Sequence, residues 1–142
     1  MTERNSGNLI LTVTKDNDVL EKEYSAIDLL AYDEWPGAKT VPEIIAAFVT
    51  PNHPAITRVL RKASEILQDT TESVSLNGYQ SKNIATVKKQ LEAIYLAIQA
   101  QEIAYCVPPA SFEETGQRIR TPDILWEHKL GTCLDLTVLF AA

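Results

Sequence analysis

The 142 residues, 45% hydrophobic and 23% charged, suffice for one globular core and contain no internal repeat or low-complexity tract. A formal charge of −6 opposes phosphate backbones, which argues against nucleic-acid binding by this segment. No apolar run approaches the roughly 20 residues of a membrane span, and the polar N-terminus is unlike a signal peptide.

Residues 1–8 read as a flexible tail and 9–38 as a β-hairpin region. Leu9, Leu11 and Val13 alternate with Thr12 and Thr14, the period of a half-buried strand. Lys15-Asp16-Asn17-Asp18 has turn chemistry, and Val19–Tyr24 can return as a second strand. Ser25–Leu30 fits either a short helix or a third extended piece before the turn Trp35-Pro36-Gly37.

Residues 39–142 read as mainly helical. Thr40-Val41-Pro42-Glu43 has the form of a capping box opening a helix to about Val49, and Asn52 is placed to cap the next one. There Ile56, Val59, Leu60, Ala63, Ile66 and Leu67 form an apolar stripe, with Arg58, Arg61 and Lys62 on the solvated side. A polar loop is expected over 70–83. The longest helix follows, with Ile84, Val87, Leu91, Ile94, Tyr95 and Ile98 inward and Lys88 and Lys89 wet. Ile103–Val107 reads as a short buried strand and Ser111–Arg120 as irregular. Thr121 and Pro122 open a short helix that Gly131 closes. The fold class is α+β, mainly helical with an N-terminal β-hairpin.

Two cysteines are too few for a disulfide framework or a Cys-rich zinc site, and the two histidines form no HxH or HxxxH pair. No metal or cofactor is expected, and the segment reads as cytoplasmic. The informative stretch is Gly131-Thr132-Cys133-Leu134-Asp135. Thr132 with Asp135 three residues later is a capping box, which makes Thr132 the N-cap and Cys133 the first helical residue. The free amides and dipole of a helix N-terminus favour a thiolate, although Asp135 competes for the same positive end. The plain alternative is a small apolar residue packed where a helix enters the core. The helix from Leu134 is apolar on every side and needs other elements around it.

The string LWEHKLGTCLDLTVLFAA resembles the Gly-x-Cys-x-Asp segment of transglutaminase-like domains, which share the papain-like cysteine fold. Beyond that core, DEWPG, FVTPN, NGYQS, PPASFEETGQRIRTP and LGTCLD together resemble a family of large bacterial proteins in which such a module lies near the front, sometimes with helicase-like regions. The resemblance implies a fold and a nucleophile position, Cys133, rather than a reaction. It also implies a histidine and an aspartate from strands after the cysteine helix, so these residues are expected to be the N-terminal part of a truncated domain, inactive alone. Among other candidates, Gln117 could donate its amide to an oxyanion, as in papain-like sites, or be a linker side chain. Trp126 and Phe112 could line a substrate groove or simply pack. His128 is a substitute base or a capping histidine, and Cys106 is expected to be inert.

Three functions follow as expectations. The first is a cysteine hydrolase or acyltransferase acting on a protein or peptide. The second is a non-catalytic interaction module, and the third an assembly role in a larger machine. The partners expected are a second copy or the remainder of a larger polypeptide.

Overall fold

Two strands make up the N-terminal arm, β1 (Asn5–Lys15) and β2 (Asp18–Leu29), paired antiparallel from Asn5↔Leu29 to Lys15↔Asp18. The computed structural model describes residues 1–71 and 75–142. Asp16 and Asn17 both take positive φ, at 51° and 74°, the conformation that a two-residue hairpin turn requires and that Asp and Asn tolerate. The ribbon is longer than the alternation suggested, and Ser25–Leu29 continues β2 instead of forming a helix. It is not half-buried: every residue of β1 and β2 except Gly7 and Ile27 is exposed.

The expected tail is also corrected, because the strand already starts at Asn5 and the residues before it are fastened. The Met1 carbonyl accepts from the Tyr32 amide at 3.1 Å, Arg4 Nε donates to Glu34 at 2.8 Å, and Glu3 pairs with Arg118.

A 3-10 helix, Pro42–Phe48, follows β3 (Glu34–Trp35). Proline at its first position makes Val41 the N-cap, one residue late for Thr40 to serve, so the expected capping box does not form. In α1 (Pro54–Thr71) the same logic displaces Asn52, since Pro54 leaves His53 as the residue before the helix. His53 Nδ1 accepts from the Ala55 amide at 3.2 Å, and its Nε2 lies 3.4 Å from Asp123 Oδ1. The α1 stripe buries Ile56, Val59, Ala63 and Leu67 as expected, while Leu60 stays exposed.

The loop expected over 70–83 lies partly outside the described residues. Within them, Gly78–Ser81 forms a one-turn helix, α2. Asn83 caps α3 (Ile84–Gln99) through its side-chain oxygen. The buried face of α3 is rotated from the predicted one. Gln90, Ala93, Ala97 and Ile98 turn inward, whereas Ile84, Leu91 and Tyr95 are exposed. Alanines at 93 and 97 bring α3 close against α1, which the bulkier stripe could not do.

The rest is built from short pieces: β4 (Ala104–Tyr105), α4 (Phe112–Thr115), β5 (Gln117–Arg118), α5 (Pro122–His128), β6 (Leu130–Gly131) and α6 (Cys133–Ala141). β3 pairs antiparallel with β5 and β4 parallel with β6. The strand expected at Ile103–Val107 is therefore real but not buried; Ala104 and Tyr105 are exposed and Val107 lies open. Helix α5 ends at Lys129, in the left-handed conformation at φ 52°, rather than at Gly131. The fold is α+β. One apolar cluster joins α1, α3, Leu125 and Leu139, and a second joins Trp35, Ile119 and Val138, so that α6 enters both. Among the described residues no helix is long and apolar enough to cross a membrane.

Candidate functional site

Helix α6 begins where the sequence places it. Thr132 is extended at φ −85° and ψ 171°, its Oγ1 accepts from the Asp135 amide at 3.2 Å, and its own amide donates to Asp135 Oδ2 at 2.8 Å. This reciprocal capping box leaves Cys133 as the first helical residue, with its side chain exposed. The amides of Cys133 and Leu134 have no acceptor within the helix, as at any helix start, so the positive end of the dipole lies beside the thiol.

Asp135 itself is 1% exposed. Besides the Thr132 amide it accepts the Arg120 amide at 2.8 Å and the Arg120 guanidinium at 2.8 Å. The carboxylate that the sequence sets against the thiol is thus turned inward and paired with a cation. Arg120 was missed from sequence, where residues 111–120 read as irregular. The available signal was the alternation Gln117, Arg118, Ile119, Arg120, in which the first and third residues are buried.

Gly131 has a different role from the one its motif suggests. A Cβ there would meet Leu125 Cδ2 at 2.8 Å and Ile103 Cγ2 at 3.4 Å, so any larger residue requires the buried Leu125 side chain to shift, and glycine lets α5 close over this strand without that. The strand is held from the other side as well, with Ala104 N donating to the Lys129 carbonyl at 2.8 Å and Cys106 N to the Gly131 carbonyl at 2.9 Å. The segment carrying Cys133 is therefore clamped between β4 and α5.

Gln117 is brought to the same place. It is 5% exposed, and its Nε2 points at Thr132 Oγ1 across 3.4 Å, while Oε1 is buried and has no hydrogen-bond partner among the described residues. It supports the cap from behind and does not face solvent. Its strand is set by Gly116 at φ 80°, where a Cβ would collide with the Trp35 carbonyl.

The remaining candidates separate. Trp126 packs against the α1–α3 cluster and Phe112 against the Trp35–Ile119 cluster, so the two do not form one groove. His128 is exposed at the end of α5, and no hydrogen bond or ion pair joins it to Cys133 among the described residues. Cys106 is partly exposed rather than sealed in a strand. Glu114 pairs with Lys39 at 2.5 Å. At the root of the hairpin, Arg118 and Asp33 form an ion pair that raises the guanidinium's proton affinity, and Ile119 N donates to the Asp33 carbonyl at 2.7 Å. Glu34 is pushed up by burial but held below the usual carboxylate range on balance, by hydrogen bonds from Arg4 and the Ala31 amide and by the charges of Arg4 and Arg118. Among the described residues no group of three or more His, Cys, Asp or Glu side chains could hold a metal ion.

No family model, no curated protein and no solved structure matches this chain.

Proposed function

We propose that Cys133 is the nucleophile of a transglutaminase-like cysteine hydrolase or acyltransferase whose base and orienting acid are supplied by polypeptide other than these residues. The observation that carries this reading is an exposed thiol at the first position of a capped helix, with the nearby carboxylate bound inward to Arg120. In such a site the Cys133 thiolate attacks the carbonyl carbon of an amide or ester, forming a thioester as the amine or alcohol leaves with a proton. Water or a second amine then takes the acyl group and restores the thiol. The free amides at the start of α6 suit a developing oxyanion. Gln117 is a positioning residue acting through Thr132, and the substrate is a protein or peptide met in the cytoplasm. The same geometry without those partners would serve a non-catalytic interaction module, a reading favoured by the exposed apolar hairpin.

The test is acylation by an activated ester such as p-nitrophenyl acetate, followed by intact-mass measurement and peptide mapping. The acetyl thioester is expected on Cys133, retained in Cys106→Ser and absent in Cys133→Ser. Acylation of both cysteines at equal rates, or an adduct that survives Cys133→Ser, would remove the nucleophile assignment.

A further inference from the structure

The hairpin arm is the largest feature that the proposed site leaves without a role, and its two edges differ. β2 carries Asp18, Glu21, Lys22, Glu23 and Asp28, whereas β1 is uncharged from Asn5 to Thr14. Charged side chains are the usual means of keeping an edge strand from pairing, so β2 is protected and β1 is open. A two-stranded ribbon exposed on both faces is marginal in water, and three or more strands are needed for independent stability.

The geometry points to a second copy of this chain as the occupant of the β1 edge, joined antiparallel about a two-fold axis at Leu11 to give a continuous four-stranded sheet. This assignment does not rest on the nucleophile reading. In that register Leu11 faces its own copy, Leu9 faces the other copy's Val13, and all six aliphatic side chains share one face of the sheet. These residues are about half exposed in the single chain, Leu11 at 54%. Such cross-strand aliphatic pairs are the stabilising unit of a sheet. On the opposite face Ile10 meets Thr12 and Asn8 meets Thr14, while Lys15 falls beside Gly7 and away from its own copy. Every contact off the axis occurs twice, as in any two-fold interface, and the Leu11 pair on the axis occurs once.

Charge also selects this pairing over the alternatives. A β2-to-β2 contact would bring together strands carrying four acidic residues and one lysine each. The β1-to-β1 contact juxtaposes no charge, and it sends the two bodies to opposite ends of the ribbon. At about 3.4 Å per residue their hairpin roots then stand roughly 40 Å apart. That is several times the ~8 Å screening length at physiological salt, so the −6 charge of each chain does not oppose assembly.

Two measurements test the assignment. Sedimentation across the micromolar range is expected to show a dimer, and Leu11→Lys, which sets two lysines face to face, should weaken it roughly a hundredfold. Tyr24→Lys on β2 should leave it unchanged. In case Leu11→Lys also loosens the hairpin, Leu11→Cys in a Cys106→Ser, Cys133→Ser background keeps the strand uncharged. It should form a disulfide-linked dimer under mild oxidation much faster than Tyr24→Cys in the same background. A strictly monomeric protein would overturn the proposal. So would a dimer that survives Leu11→Lys, or equal cross-linking at residues 11 and 24, as expected if a helical face or a foreign strand is the real contact.

Discussion

At the scale of single residues, the start of α6 depends on two interactions of unequal strength. The Thr132 hydroxyl satisfies one amide, and its loss in Thr132→Ala should cost about 1 kcal/mol, as for other N-caps. Asp135 satisfies two amides and a guanidinium from a position almost closed to water. Asp135→Asn leaves the Arg120 charge without its partner, and removing one member of a buried pair costs about 3–5 kcal/mol. Arg120 keeps some solvent contact, so a loss near the lower end, about 3 kcal/mol, is expected. Urea denaturation of the two variants compares them directly. Equal losses would mean that the ion pair does not anchor the helix. The Thr132–Asp135 box was legible because both partners lie within one turn of chain. Arg120 was not, because its link to Asp135 spans 15 positions and depends on how a two-residue strand is laid down.

Among the elements, those defined by local sequence were the ones sequence could find. The hairpin turn, α1, the start of α3, α5 after Pro122 and the start of α6 each rest on residues that are neighbours in the chain. The paired fragments β3–β5 and β4–β6 are two residues long; the apolar run at Ile103–Val107 announced β4, but the partner of each fragment is set by strands distant in the chain, which no local pattern specifies. The rotation of α3 has a similar cause. Its larger apolar side chains favour one face, but close approach to α1 selects the alanine face. Gly131 sits at the meeting of two such elements, and Gly131→Ala should destabilise the protein by about 1–3 kcal/mol through overpacking against Leu125, with a lowered melting temperature as the measure. An unchanged melting temperature would show that α5 can retreat without cost.

For the molecule as a whole, the hairpin joins the body through a small set of polar contacts rather than a core, chiefly Arg4 with Glu34 and Arg118 with Asp33 and Glu3. The folded-state depression of Glu34 gives this joint a pH dependence. A lowered carboxylate contributes stability that is present above its unfolded pKa and lost as pH falls through the folded one. Glu34→Gln should therefore unfold at lower urea than the parent at neutral pH, and the difference should shrink once pH falls below the ordinary carboxylate range. A gap that persists in acid would locate the effect in packing instead. A different consequence follows from α6, which contributes Leu139 to one apolar cluster and Val138 to the other. Both clusters also draw on residues from the first half of the chain, among them Trp35 and Ile56, so neither closes on local contacts alone. As the chain leaves the ribosome from its N-terminus, both cores stay unfinished until residues 134–139 have emerged. The open hairpin edge is thus available to other strands throughout synthesis, before the body that carries it has folded.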